Sequence, residues 1–270
     1  MNTPVTPPTA TLPAPGMRLA HDSLGEVAVP EGALWGAQTE RARGNFRIST
    51  EPMPEALLLA LAQVKRAAAL SNQTLGLLPV PRAQAIVQAA DEVMAALATQ
   101  RQALTDGDDV KPVHPNDEVN LGQSTNDVFP TAMHLATLAT LHAILLPALH
   151  ALRSTLAGKA EALAQIIKIG RTHLQDATPL TLGQEMSGWV AQLDHAEQAI
   201  RLSLPALHEL AVGGTAVGTG LNTDPRFGAM VAAQLATDTS WPLRVTANHS
   251  AAQASHDAMV GTHGTLKTLA

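Results

Sequence analysis

The 270-residue chain has no cysteine, which removes thiolate nucleophiles, Cys-ligated zinc, iron–sulfur clusters and disulfides together. Aromatic residues are almost as scarce. Three Phe, three Trp and no Tyr leave little from which to build base-stacking platforms or cages for quaternary ammonium groups. A basic field is missing too: 17 Lys+Arg stand against 23 Asp+Glu, a formal charge of -6, so neither a phosphate backbone nor an anionic lipid surface is an expected partner. The uninterrupted apolar run at 56–62 falls far short of the roughly 20 residues of a membrane span. A soluble protein without nucleic-acid or membrane partners is expected. Residues 1–16 hold five prolines and no Lys or Arg, which suits a disordered tail better than a signal or transit peptide, and the cytoplasm is the expected location.

What the chain does have is alanine, leucine and helical spacing. Hydrophobic residues make up 46% and charged residues only 15%, against roughly 25% in ordinary soluble domains, a balance that suits closely packed helices. Gly25, Pro30, Gly32 and Gly36 punctuate short extended or turn segments. Pro54 then opens a helix carrying Leu57, Leu58, Leu61, Val64 and Ala68, and Pro81 opens a second through Ile86, Val87, Val93, Met94 and Leu97. A third starts near Asn126 or Asp127 and runs toward Gly170, with a kink expected at Pro147. Leu182, Met186, Trp189, Leu193, Ala196 and Ile200 alternate steps of four and three, a seam that needs a facing helix and puts Trp189 in the core. Two shorter helices, roughly 226–237 and 250–269, complete the chain.

Four clusters could carry chemistry. Lys111-Pro-Val-His114-Pro-Asn116-Asp117 gathers a cation, an imidazole, an amide and a carboxylate in a proline-stiffened loop; it could bind a small anion, or simply be a turn in which Asn and Asp satisfy backbone groups. Gln123-Ser124-Thr125-Asn126 sits at an expected helix N-terminus, where free N–H groups and the dipole favour carboxylates; capping explains one of these residues but not three in a row. Gly170-Arg-Thr172-His173-Leu-Gln-Asp176 joins two long helices, and His173 is suited to proton transfer near neutral pH, although a lone loop histidine is commonly structural. Gly213-Gly-Thr215-Ala-Val-Gly218-Thr-Gly220-Leu-Asn222 reads as a loop; it lacks the Lys-Ser/Thr of a phosphate-binding loop. His134, His142 and His150 recur every eight residues, about 80° apart around one helix, so no metal site is expected of them.

Together these segments resemble the class II fumarases of the aspartase/fumarase superfamily. The resemblance rests on Leu34-Trp-Gly-Ala-Gln-Thr, Phe46-Arg-Ile-Ser-Thr-Glu, His114-Pro-Asn-Asp-Glu-Val-Asn, Gln123-Ser-Thr-Asn-Asp-Val-Phe-Pro, Lys168-Ile-Gly-Arg-Thr-His-Leu-Gln-Asp-Ala-Thr-Pro and Gly213-Gly-Thr-Ala-Val-Gly-Thr-Gly-Leu-Asn, in the family's order from about residue 17 to 270. Within the superfamily His173 favours fumarase, since aspartases usually place Gln there.

The resemblance implies an all-α, long-helix bundle shared by four subunits, with a small mixed N-terminal domain. The implied division is a tail at 1–16, an N-terminal lyase domain at 17–125 and a central helical domain at 126–270. The implied activity is reversible hydration of fumarate to L-malate without metal or organic cofactor. His173 would be the acid–base residue, Ser124, Thr125, Asn126 and Thr172 would bind substrate, and Lys111, His114, Asn116 and Asp117 would form a secondary dicarboxylate site, where the family more often has Arg in place of Lys111. Fumarate and malate are the implied small-molecule partners, and a homotetramer the implied assembly.

The family's S-G-T-Q-S-N-M-N segment does not occur in the sequence, nor does its mobile G-S-S-x-M-P-G-K-x-N loop with the serine base, and Asn248-His249-Ser250 stands in place of a typical Asn-Lys-Phe. The expected chain is therefore a truncated family member, internally shortened near 98–110, without measurable activity alone. The alternative function is a catalytically incomplete protein that binds dicarboxylates or associates with homologous subunits.

Overall fold

The computed structural model describes residues 14–33, 35–98 and 118–270, which fall in two compact units. In the first, strands β1 (Met17–Asp22) and β2 (Gly25–Pro30) form an antiparallel hairpin with Asp22 opposite Gly25, followed by helix α1 (Ala37–Asn45). Arg41 ties the helix to the hairpin, donating to Asp22 Oδ2 at 2.9 Å and Gly25 O at 3.0 Å. The segment 34–39, which reads as extended or turn, is instead helical from Ala37 onward; with no apolar stripe on α1, periodicity gives no signal of it.

The second unit holds the remaining helices. α2 (Glu55–Thr74) and α3 (Val80–Ala98) pack together, and α2 also packs on α4 (Thr125–Thr140) and α7 (Phe227–Thr239). Leu57, Val64, Leu135, Leu138, Ile200, Leu207, Phe227, Val231 and Leu235 form the core, and fully buried Ala67, Ala68 and Ala132 bring helix backbones close. The abundance of alanine has its structural use there.

α4 continues through a π turn at Leu141–Leu145 into α5 (Leu146–Ala162), so the disturbance expected at Pro147 lies in the turn before it. A proline lacks the N–H of a regular ladder, and the widened turn accommodates that loss. By length and composition the continuous stretch Thr125–Ala162 could cross a membrane, with mean hydropathy 1.7 over an 18-residue window that is 33% buried. It contains no long uninterrupted apolar run, because Thr and His residues interrupt it.

The helix expected to reach Gly170 stops at Ala162. Strands β3 (Ile167–Thr172) and β4 (Gln175–Thr181) form an antiparallel hairpin instead, leading into α6 (Leu182–Leu207). Gly183 permits this close entry: a Cβ there would lie 2.4 Å from Ala160 O.

The seam on α6 differs from the expected one. Its buried line passes through Gly183, Met186, Val190, Ala196, Ile200, Leu204 and Leu207, toward α5 and α9 (Asp257–Leu269). Trp189 is 46% exposed and is not a core residue. One position of rotation selects Val190, four residues after Met186, because the buried face of a 3.6-residue helix drifts from a strict 3.5-residue repeat. The expected helix at 250–269 is broken at Ser255 and His256 into α8 (His249–Ala254) and α9. A two-residue parallel pairing, β5 (Glu209–Leu210) with β6 (Arg244–Val245), closes the unit.

Candidate functional site

The N-terminus of α4 is built as its sequence demands. Ser124 is extended, its hydroxyl accepts from Asn126 N at 3.3 Å, and Asp127 Oδ1 accepts from Ser124 N at 2.9 Å, a reciprocal capping box. Asp127 does more than cap. Its Oδ2 accepts from the backbone N–H groups of Gly213 and Thr215, both at 3.0 Å, so one fully buried carboxylate fastens the glycine loop to the helix start. Burial pushes its carboxyl above the usual range, against the pull of the three backbone donors. Gly213 has φ +96, a conformation L side chains rarely adopt, and a Cβ there would meet Gly228 Cα at 2.8 Å. Asn126 Nδ2 donates to Ala216 O at 2.7 Å, and Gln253 Nε2 donates to Thr215 O at 2.8 Å, holding the loop from two sides.

Capping therefore explains Ser124, loop anchoring engages Asn126, and Thr125 is left exposed, its hydroxyl without a partner among the described residues. In front of them lies a cavity of about 530 Å³ lined by Leu61, Lys65, Asn120, Gln123, Ser124, Thr125, Val128 and Phe129. Lys65 is the feature that sequence reasoning missed. Its Nζ donates to Asn120 Oδ1 at 2.6 Å and Gln123 Oε1 at 2.8 Å, and burial brings its ammonium down to about 8, with the charge of Asp127 opposing the shift. The available signal was a single lysine four residues after Leu61, on the apolar stripe of α2.

Thr172 and His173 stand elsewhere. The β3–β4 hairpin pairs Thr172 with Gln175 and turns through His173 (φ 51) and Leu174 (φ 62). Two consecutive left-handed residues make a type I′ turn, which Asn-Gly would normally occupy. Strain of this kind at non-glycine residues collects at functional positions. Both residues are exposed, Leu174 completely so, and among the described residues no hydrogen bond or ion pair joins the turn to 124–126. The second expected cluster, Lys111, His114, Asn116 and Asp117, lies outside the described residues. No group of three or more potential metal ligands occurs among the described residues.

A cationic, amide-lined cavity beside a helix start and a histidine at the tip of a strained turn suit carboxylate binding and proton transfer. In comparison with known proteins, the profile of a family described as lyase matches residues 25–270. The chain belongs to this lyase family. It is 52% identical to the class II fumarate hydratase of Chromobacterium violaceum over 282 aligned positions, which cover 94% of this chain and 61% of that protein. The corresponding enzyme of Nitrosomonas europaea is also 52% identical, with the same coverage. Among solved structures, the class II fumarase of Schistosoma mansoni superposes with a TM-score of 0.87 at 36% identity, over 94% of this chain and 62% of that one. A fumarate lyase:delta crystallin of Brucella melitensis gives 0.84 at 34%, over 94% and 61%. This lyase-family chain thus spans about 61% of the length of the curated relatives it matches.

Proposed function

We propose that this lyase binds small dicarboxylates and serves the reversible hydration of fumarate to L-malate. The observation that carries the reading is the Ser124 cavity, where a half-buried ammonium, amide side chains and the start of α4 converge on one open space. A substrate carboxylate held there by Ser124 and Thr125, with Asn126 beside the lining contributing the amide N–H not spent on Ala216 O, meets donors that strengthen as charge builds up in the transition state. Hydration requires loss or gain of a weakly acidic proton next to a carboxylate. Proton loss from the malate dianion puts a second negative charge on the adjacent carboxylate, which gains most from fixed donors, and His173 supplies acid–base help through the reacting water, with Thr172 beside it. No metal or organic cofactor enters this scheme.

The exposed His173 turn serves this chemistry by inserting beside the Ser124 cavity of another copy. A homo-oligomer follows, a tetramer in the family pattern, located in the cytoplasm. Lys111, His114, Asn116 and Asp117 are proposed as a secondary dicarboxylate site, and 17–125 and 126–270 as the functional domains.

The test joins this chain to the portions of the Chromobacterium violaceum enzyme that it does not span and follows the fumarate absorbance band. Turnover is expected, and His173→Asn should lower it by about 10² or more, the scale of a lost acid–base group. A loss under about threefold removes His173 from the mechanism. Dicarboxylate binding with no turnover in the joined protein favours the alternative of a binding protein.

A further inference from the structure

We infer that Lys65 is a substrate-binding residue of the Ser124 cavity, its ammonium, fixed by Asn120 and Gln123, presenting its remaining N–H to one carboxylate of the dicarboxylate. The inference rests on the reading of this cavity as a dicarboxylate site and adds to it the cation that such a site requires.

An ammonium has three N–H donors and no acceptor. Two are spent, on Asn120 Oδ1 at 2.6 Å and Gln123 Oε1 at 2.8 Å, leaving one. Both acceptors are neutral amides, and among the described residues no carboxylate lies within ion-pair distance of Nζ. Gln123 turns its own NH2 away to Val119 O at 3.0 Å, so its oxygen is locked toward the lysine. Asn120 Nδ2 donates to no atom among the described residues and adds a second donor on the cavity wall.

Among the described lining side chains Lys65 alone is ionisable. A dianion entering there loses hydration, and the loss is offset only where a cation or several fixed donors replace the water. Conversely, a half-buried ammonium with no carboxylate at ion-pair distance among the described residues carries a desolvation cost that the more distant charge of Asp127 offsets only in part, seen in its value of about 8. A methionine would fill the same apolar wall of α2 without that cost. An incoming carboxylate makes up what both partners lack.

The test uses the 270-residue chain and succinate, an unreactive dicarboxylate, with binding followed by NMR and the lysine titration by the Lys65 13Cε resonance. Lys65→Met should weaken succinate by at least about tenfold, Lys65→Arg should recover part of the loss, and succinate should raise the pH at which Lys65 titrates in the unaltered chain. Ser124→Ala reports on the cavity independently. If Ser124→Ala weakens succinate while Lys65→Met leaves it within about twofold, the Lys65 role is overturned and the cavity reading stands. If the unaltered chain fails to bind succinate, or neither variant matters, both fall. Should Lys65→Met not fold by circular dichroism, the titration decides: a lysine unmoved by saturating succinate overturns the proposal.

Discussion

Replacing Asp127 by Asn isolates the joint between the helix start and the glycine loop. The carboxylate accepts three backbone N–H groups, one on Oδ1 and two on Oδ2. An asparagine keeps its oxygen best where two donors converge, at Gly213 and Thr215, which sets its NH2 against the N–H of Ser124. One charge-assisted bond is lost, about 1.5–3 kcal/mol, while the neutral amide is cheaper to bury than a carboxylate whose burial already raises its pKa. The net expectation is a loss of about 1.5–2.5 kcal/mol. Asp127→Ala removes all three acceptor contacts and should cost about 3–5 kcal/mol. Urea unfolding at pH 7, with unchanged m-values, measures both. Hydrogen exchange at Gly213 and Thr215 should accelerate in both variants, while Leu135 in the core of α4 stays protected. A loss below about 0.5 kcal/mol for Asn, or Ala no worse than Asn, would refute the joint.

Lys65 should reduce stability at neutral pH. Its folded value near 8 lies below the ordinary 10.5, so the unfolded chain binds more protons between these pH values and stability rises across that window. The penalty is fully present below pH 8, and Lys65→Met should be more stable than the parent there by roughly 2–3 kcal/mol, a difference that urea titrations at pH 7 and 10.5 would show shrinking. Gly183→Ala places a methyl 2.4 Å from Ala160 O and should lower stability by about 1–3 kcal/mol, read as a fall in the urea midpoint. Burial also holds His134 below its usual value, so protonation of the unfolded chain erodes stability as pH falls below about 6.5, and His134→Gln should lessen that acid sensitivity in thermal melts.

Local chemistry in the sequence carried through wherever the physics is local. Pro54 stands at the start of α2 as expected, and α4 begins within two residues of the expected Asn126 or Asp127, although its cap is Ser124 and Asp127 is the N3 partner of that cap. The four-glycine stretch is a loop because Gly213, Gly218 and Gly220 adopt positive φ. The β3–β4 hairpin was not legible: Gly170 and Pro179 break strand patterning, and His173-Leu174 lacks the residues that normally mark a tight turn. Trp189 was misplaced because spacing defines a face to within one residue, and the packing of α5 and α9 selects among faces. Ser124, Thr125 and Asn126 could be named from the sequence. Lys65, Asn120 and Gln123 meet only through tertiary packing, 55 and 58 residues apart, and no spacing rule reaches that far.

The central claim is the reaction itself. The joined protein incubated in D2O with fumarate and an equal concentration of ammonium should yield malate carrying one deuterium at C3, seen by proton NMR, with no aspartate above background. Aspartate accumulating faster than malate would contradict the account, as would fumarate consumption that gives neither product or malate formation unaffected by His173→Asn.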